Sequence, residues 1–229
     1  MPLRIAFDLD GVLADMDGEL ARHAAELFGE AERAPSSDAD QPPDNAPPLN
    51  LKLSARQQRR LWQRVQSLEN FWGTLQELEP GAIKRLAEIA AERRWEVIFL
   101  TRRPESAGDT AQRQTQRWLE ARGFSLPSVF VVQGSRGRIA PALALDIVID
   151  DRMENCLDVV ADSKARAILV WRDVEDRLPT SAKRLGIGVV RSVSECLDIL
   201  VKVDSPTTAR AGIVGRVMRA LGLKEPAGA

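Results

Sequence analysis

Two aspartates separated by a single leucine stand near the start of the chain, in the segment IAFDLDGVLAD. Asp8 and Asp10 follow a short apolar stretch, and Gly11 comes directly after them. Carboxylates this close repel each other and gain little from burial, so a compensating cation is expected beside them. A divalent cation that prefers oxygen ligands, such as Mg²⁺, is the usual solution. The segment therefore predicts a metal site at the end of a buried strand.

Two further apolar stretches also end in polar groups. Residues 96–100 (EVIFL) are followed by Thr101, and residues 146–149 (DIVI) by Asp150 and Asp151. In a parallel sheet, ligands bind beyond the carboxyl ends of the strands, near the point where the strand order reverses. Four carboxylates and a hydroxyl would then share one crevice. Mg²⁺ fits this set, because it takes one or two carboxylates and leaves sites for water and a phosphate oxygen.

A carboxylate beside Mg²⁺ can attack a phosphoryl group and form an aspartyl-phosphate. A second carboxylate two residues further on can protonate the leaving oxygen and then deprotonate the attacking water. Gly11 allows the chain to turn at once, so that Asp10 can lean back over the site. This spacing therefore permits transfer of a phosphoryl group to water through an aspartyl-phosphate.

Short apolar strands alternate with helical segments along most of the chain. This alternation predicts an α/β fold with a mostly parallel sheet of five or slightly more strands and helices on both faces. Strands are expected at 3–9, 96–100, 129–132, 146–149, 167–171 and 187–190. Helices are expected at 17–33, 54–70, 81–94, 109–122, 138–145, 153–162 and 193–201.

Composition narrows the classes of function and partner. The net charge of −1 provides no general attraction to nucleic acid or to a membrane surface. A single histidine excludes His-rich metal sites, and Cys156 and Cys196 form no disulfide framework, which favours a reducing, cytoplasmic location. No apolar run approaches the ~20 residues of a membrane span. The first residues enter a strand at once, so we expect no signal peptide.

The acidic strand ends resemble the motifs of the haloacid dehalogenase superfamily of phosphohydrolases. FDLDGVLAD matches its first motif, VIFLT its second and DIVIDD its fourth. The resemblance implies a three-layer, Rossmann-like core in which Asp8 is the nucleophile and Asp10 the acid and base. It also implies that Thr101 binds the phosphoryl group. The Mg²⁺ ligands would be Asp8, the backbone carbonyl of Asp10, and Asp150 and Asp151, the last two directly or through water.

The same resemblance divides the chain into three parts. Residues 1–14 and 76–203 would form the core, and residues 15–75 a small helical cap inserted after the first strand. Residues 34–50, which include five prolines, are expected to be a disordered loop within that cap. Residues 204–229 would be a linker and a short basic amphipathic helix. Docking on the core or disorder is favoured for this tail over contact with a membrane or partner.

One motif departs from the superfamily pattern. The third motif places a lysine shortly before the fourth strand, but no lysine lies between Lys84 and Lys164. Arg138 is near the expected offset and is the first choice for the catalytic cation, with Arg136 or Lys164 as alternatives. Arginine keeps the charge but differs in shape. A binding protein that kept the fold and lost turnover is therefore an alternative function.

The substrate class rests on two weaker resemblances. The segment NFWGTLQELEPGAIKRL, with VIFLTRRP, resembles the 5′(3′)-deoxyribonucleotidases, which implies a nucleotide or another small phosphorylated metabolite. Phe71 and Trp72 would stack on its base, or else pack the junction of cap and core. The segment TRRPESAGDTAQRQTQRWLEARG resembles polynucleotide 3′-phosphatases, an alternative that the net charge disfavours. Arg102, Arg103 and Arg136 are candidates for contact with phosphate.

Overall fold

A sheet of six parallel strands runs through the part of the chain that the computed structural model describes, residues 2–29, 51–173, 181–203 and 210–223. The strands are β1 (Arg4–Asp8), β2 (Glu96–Thr101), β3 (Ser128–Val131), β4 (Ile147–Asp150), β5 (Arg166–Val170) and β6 (Gly188–Val190). The helices are α1 (Met16–Phe28), α2 (Ala55–Ser67), α3 (Ala82–Arg93), α4 (Ala111–Glu120), α5 (Arg136–Ala142), α6 (Met153–Asp162), α7 (Ser181–Arg184), α8 (Val193–Val203) and α9 (Arg210–Ala220). A 3₁₀ turn covers Phe71–Gly73. The predicted α/β fold is confirmed.

The strand order places β1 in the interior of the sheet, between β2 and β4. The order is β3-β2-β1-β4-β5-β6, and every neighbouring pair is parallel. Phe7 of β1 lies opposite Phe99 of β2 on one side and Ile149 of β4 on the other. The chain thus builds outward from β1 in one direction, then returns to its other side at β4. Ligands bind at this kind of reversal, beyond the carboxyl ends of the strands.

Apolar side chains on both faces of β1 explain why the sheet is covered on both sides. Ile5 and Phe7 belong to one buried cluster with residues of α3, α4 and α8. Ala6 belongs to a second cluster with residues of α5, α6 and α7. Strands buried on both faces read as continuous apolar runs, as the sequence of β1 does. The result is a three-layer core whose strand ends form a rigid platform for the site.

Two helices lie between β1 and α3, in the region predicted as the cap. Asp15 caps α1 by accepting a hydrogen bond from the Gly18 backbone N–H at 2.9 Å. Ser54 and Gln57 form a reciprocal capping box at the start of α2. The division into cap and core remains a prediction. The predicted loop 34–50 lies outside the described residues.

The predicted basic helix of the C-terminal region is present as α9. Val217 and Met218 are buried in the main apolar cluster, and α9 packs against α8. This helix packs on the core, and the linker predicted before it lies outside the described residues. Among the described residues, none of the helices has the length and apolar character needed to cross a bilayer.

Candidate active site

Asp8 and Arg136 form a buried ion pair at the reversal point of the sheet. Asp8 is the last residue of β1 and is 7% exposed, while Arg136 is 4% exposed. The Arg136 Nη2 donates to Asp8 Oδ1 at 2.6 Å. Its Nε lies 3.6 Å from Asp150 Oδ2, at the end of β4. One guanidinium thus sits between the carboxylates of two neighbouring strands, where burial without such a cation would be costly.

Arg136, rather than Arg138, supplies the cation beside Asp8, so the first choice from the sequence is corrected. Helix α5 begins at Arg136, two residues earlier than predicted, because Ser135 caps it by accepting from the Gly137 N–H at 3.1 Å. Side chains two positions apart point to nearly opposite sides of a helix. Arg136 therefore faces the strand ends, and Arg138 is exposed. Lys164 is also exposed and precedes β5, at the opposite edge of the sheet.

Asp150 is held by the loop that follows it. Its side chain is fully buried and accepts from the Arg152 backbone N–H at 2.9 Å and from Asn155 Nδ2 at 2.9 and 3.0 Å. With Arg136 beside it, this carboxylate has fixed partners on several sides. It is therefore better placed to orient neighbouring groups than to serve as an open ligand.

Asp151, unlike Asp150, has a carboxylate oxygen that is not satisfied by hydrogen bonds from the part of the chain that the structure describes. Among the described residues, its Oδ1 is buried without any hydrogen-bond partner. An unpaired buried carboxylate oxygen is costly, and a bound cation would satisfy it. Within the described ranges, no three His, Cys, Asp or Glu side chains are grouped closely enough to hold a metal by themselves. Mg²⁺ needs only one or two protein carboxylates and completes its shell with water and phosphate oxygens. The residues present therefore suit this ion.

The three carboxyl groups at these strand ends have raised pKa values. Burial raises the pKa of Asp8 well above its usual range, and the charge of Asp150 adds to the effect while Arg136 opposes it. Burial also raises the pKa of Asp150. Burial and the neighbouring Asp150 raise the pKa of Asp151 to about 7. Asp151 is therefore about half protonated near neutral pH without metal, and a bound cation would displace its proton.

Metal-free protein is expected to lose stability as the pH rises from about 5 to about 8. The folded state, with raised pKa values, binds more protons than the unfolded chain, so ionisation through about pH 7 at Asp151 lowers the free energy of unfolding. We expect the melting temperature in EDTA to fall by at least ~5 °C over this range, and millimolar Mg²⁺ to restore most of it. Asp151→Asn should flatten the EDTA profile. A pH-independent melting temperature in EDTA would contradict this account of the site.

Gly11 is required by both conformation and space. Its φ is +91°, and a Cβ built there would lie 2.1 Å from Asp151 Oδ2. Gly11→Ala should therefore displace Asp151, cost about 1–3 kcal/mol of stability and remove the stabilisation by Mg²⁺. Urea unfolding with and without Mg²⁺ measures both effects. Gly73→Ala, where no atom lies within 4 Å of the added Cβ, is the control, and equal losses in the two variants would refute the steric argument.

Asp10 accepts hydrogen bonds from Thr101, which ends β2, and from Arg103, two residues further on. Thr101 Oγ1 donates to Asp10 Oδ2 at 3.0 Å. Arg103 Nε donates to the same oxygen at 2.9 Å, and Arg103 Nη2 donates to Oδ1 at 2.6 Å. The structure thus brings Thr101 to the predicted site, but places its hydroxyl on the second aspartate.

Arg103 is the residue whose position the sequence did not reveal. The sequence offers it together with Arg102 as a phosphate contact, yet its side chain is fully buried, whereas Arg102 is exposed and lines the cavity in front of the strands. The available signal is its spacing. Residues two apart in an extended chain share one side, so Arg103 follows the direction of Thr101 rather than that of Arg102.

The cavity over the strand ends measures about 1030 Å³ and includes Asp8, Asp10, Asp151 and Arg136 in its wall. Phe71 and Trp72, predicted to stack on a base, are 1% and 0% exposed and lie outside this wall. Their rings contact each other edge to face, with centroids 4.9 Å apart, and the Trp72 indole N–H donates to Pro104 O. They pack the junction behind the site, which was the other possibility that the sequence left open.

The fold and the order of its acidic strand ends agree with the predicted class of protein. Asp8 ends β1 and Asp150 ends β4, as the resemblance to the haloacid dehalogenase superfamily implies. The solved structure of a protein described as a β-phosphoglucomutase, from Thermotoga maritima, shares this fold with a TM-score of 0.52. It is 19% identical, and the match covers 88% of this chain and 99% of that one. This likeness shows the fold, and the family match of residues 2–178 confirms the predicted superfamily.

Sequence comparison gives the particular family. Residues 2–178 match the family described as 5′ nucleotidase, deoxy (Pyrimidine), cytosolic type C protein, and the chain belongs to this family. The protein is therefore a hydrolase of the phosphatase type, as predicted. A HAD hydrolase of family IA, variant 3, from Entamoeba histolytica is 14% identical with a TM-score of 0.45, over 95% of this chain and 99% of that one. No curated protein matches the sequence significantly.

Proposed function

We propose that the protein is a Mg²⁺-dependent phosphomonoesterase that works through an aspartyl-phosphate on Asp8. The observation that carries this proposal is the 2.6 Å contact between Arg136 Nη2 and Asp8 Oδ1. It supplies the positive charge that the missing third-motif lysine would have provided, and thereby favours an active enzyme over a binding protein that lost turnover. An arginine so placed can also bind a phosphate oxygen with its remaining donors.

In the first step, a carboxylate oxygen of Asp8 forms a bond to phosphorus while the bond from phosphorus to the leaving oxygen breaks. Asp10 gives its proton to that oxygen, so the product leaves as an alcohol rather than as an alkoxide. Arg136 balances charge on Asp8 and on the transferred group. The Thr101 hydroxyl donates to a phosphoryl oxygen.

In the second step, water attacks the phosphorus of the aspartyl-phosphate and transfers a proton to Asp10. The bond between phosphorus and Asp8 breaks, which releases inorganic phosphate and restores both carboxyl groups. Asp8, the Asp10 backbone carbonyl and Asp151 would hold Mg²⁺, with Asp150 acting through water or through its neighbours. When bound, the ion neutralises the repulsion between the nucleophile and the phosphate dianion.

A nucleoside monophosphate is the favoured substrate, from the name of the family and from the size of the cavity. About 1030 Å³ is enough for a ligand of this size. Trp171, just after β5, is the aromatic residue of the cavity wall within the described ranges, and it offers a base the stacking surface that the buried Phe71 and Trp72 do not. Arg102, exposed on the same wall, is placed for a further phosphate or acidic group.

The buried, unpaired Cys156 and Cys196 fit the cytoplasmic location inferred from composition. A polynucleotide end remains a second substrate class, since Arg102 would face a longer chain equally well. The net charge of −1 still argues against it.

Phosphate release from a substrate panel tests the proposed function. The panel contains deoxyribonucleoside and ribonucleoside monophosphates, sugar phosphates and a 3′-phosphorylated oligonucleotide, each assayed with Mg²⁺ and with EDTA. We expect metal-dependent release that is fastest with nucleoside monophosphates. Release from the oligonucleotide alone would support the second substrate class, and metal-independent release would overturn the proposed chemistry.

A further inference from the structure

Arg103 is buried in a cage that directs it onto Asp10. Its guanidinium lies 4.9 Å from the Trp72 ring centroid and 6.0 Å from that of Trp118, and its side chain is fully buried. The Nη1 donates to Thr115 Oγ1 at 2.8 Å, and Thr115 in turn donates to Ala111 O in α4. Every guanidinium nitrogen therefore has a fixed partner, and two of the three bind Asp10.

The cage itself is anchored to the backbone. The Trp72 indole donates to Pro104 O at 2.9 Å, and the Trp118 indole donates to Leu75 O at 2.7 Å. Removing a guanidinium from water is costly, so a position with this degree of burial persists only when its charge and hydrogen bonds are satisfied. Asp10 provides the opposite charge in a forked geometry that arginine matches and lysine does not.

We propose that Arg103 is the positioning residue for Asp10, which it holds in place for proton transfer in both steps of the reaction. This inference rests on the proposed function. Arg103 is fully buried and is not part of the cavity wall, so it would act through Asp10 rather than on the substrate.

The Thr101 hydroxyl explains why a second anchor is needed. It has one hydrogen to donate, and in the structure it donates to Asp10 Oδ2 at 3.0 Å. When that hydrogen is given to a phosphoryl oxygen, Asp10 loses one of its partners and regains a free lone pair on Oδ2. The forked contact with Arg103 remains, so the carboxyl group stays oriented while its oxygen becomes available to carry the proton.

The test compares substrates that differ in their need for an acid. The nucleoside of a nucleoside monophosphate leaves as an alcohol, so its release depends on proton transfer. The p-nitrophenolate of p-nitrophenyl phosphate is a good leaving group and depends on proton transfer little. In Arg103→Gln and Arg103→Lys we expect kcat/KM for the nucleotide to fall by about 10²-fold. For the aryl phosphate, kcat/KM should fall by less than about 10-fold. A purely structural role would lower both values equally, and that result would overturn the proposal.

Two controls separate positioning from packing. Arg122→Gln removes the other guanidinium stacked on Trp118, at 4.1 Å, without altering a contact to Asp10, and should leave both substrates unaffected. In an Asp10→Asn background, Arg103→Gln should cost the nucleotide reaction nothing further. An additional loss there as large as in the wild type would overturn the inference while leaving the proposed function intact. A wild-type enzyme inactive on both compounds would overturn the proposed function and this inference with it.

Discussion

Asp8→Asn is expected to abolish phosphate release, with a loss of at least about 10³-fold in kcat for every substrate that the wild type hydrolyses. The amide is nearly the same size as the carboxylate, but it cannot form the bond to phosphorus. The fold should persist, because the amide keeps the shape of the side chain and its oxygen can still accept a hydrogen bond from Arg136. Steady-state phosphate release at saturating Mg²⁺ measures the effect.

The matched control for this variant is Asp198→Asn. Asp198 pairs with Arg85, lies outside the cavity wall, and has a side chain that is 54% exposed. Surface pairs of this kind contribute little to stability, so this variant should match the wild type in rate and in melting temperature. Activity in Asp8→Asn near the wild-type value would show that the nucleophile lies elsewhere.

Arg136→Met is expected to lower kcat by about 10²–10³-fold, whereas Arg138→Met should change it by less than a factor of about two. Arg136 contacts Asp8 and lies beside Asp150, while Arg138 is exposed on the opposite side of the same helix. The pair of variants makes the same chemical change two residues apart. It therefore tests directly which arginine replaces the third-motif lysine.

The stability of Arg136→Met must be measured alongside its rate. Removing the cation leaves two buried carboxylates without their partner, which costs about 3–5 kcal/mol. Mg²⁺ should restore part of the lost stability, since it would neutralise the same carboxylates. Arg136→Lys should recover some activity, because it restores the charge without both contacts. Equal rates in the two methionine variants, both folded, would refute the role given to Arg136.

The alternation of apolar strands and helices is enough to predict the parallel α/β core, because strands buried on both faces leave a continuous apolar pattern. β1, β2 and β4 lie within one or two residues of their expected positions. The acids and the threonine that end these strands meet at one edge because strand ends in a parallel sheet share it. The residue types and their positions at strand ends therefore suffice to group Asp8, Asp10, Thr101, Asp150 and Asp151.

Choices between neighbouring residues needed the tertiary structure. Arg136 and Arg138, or Arg102 and Arg103, have the same chemistry, and a shift of one or two residues decides which faces the site. The helix cap at Ser135 turns Arg136 toward the site, and the direction of the chain after Thr101 turns Arg103 toward it. Neither leaves a distinctive mark in composition or periodicity.

Sequence by itself determined the fold, the acidic residues at the strand ends and the missing lysine, since these depend on residue type and on spacing along one strand. Tertiary structure decided that Arg136 supplies the cation, that Phe71 and Trp72 lie behind the site, and that Arg103 is caged against Asp10. Each of these depends on contacts between segments far apart in the chain. Such contacts are set by how helices pack on the sheet, which local pattern does not encode.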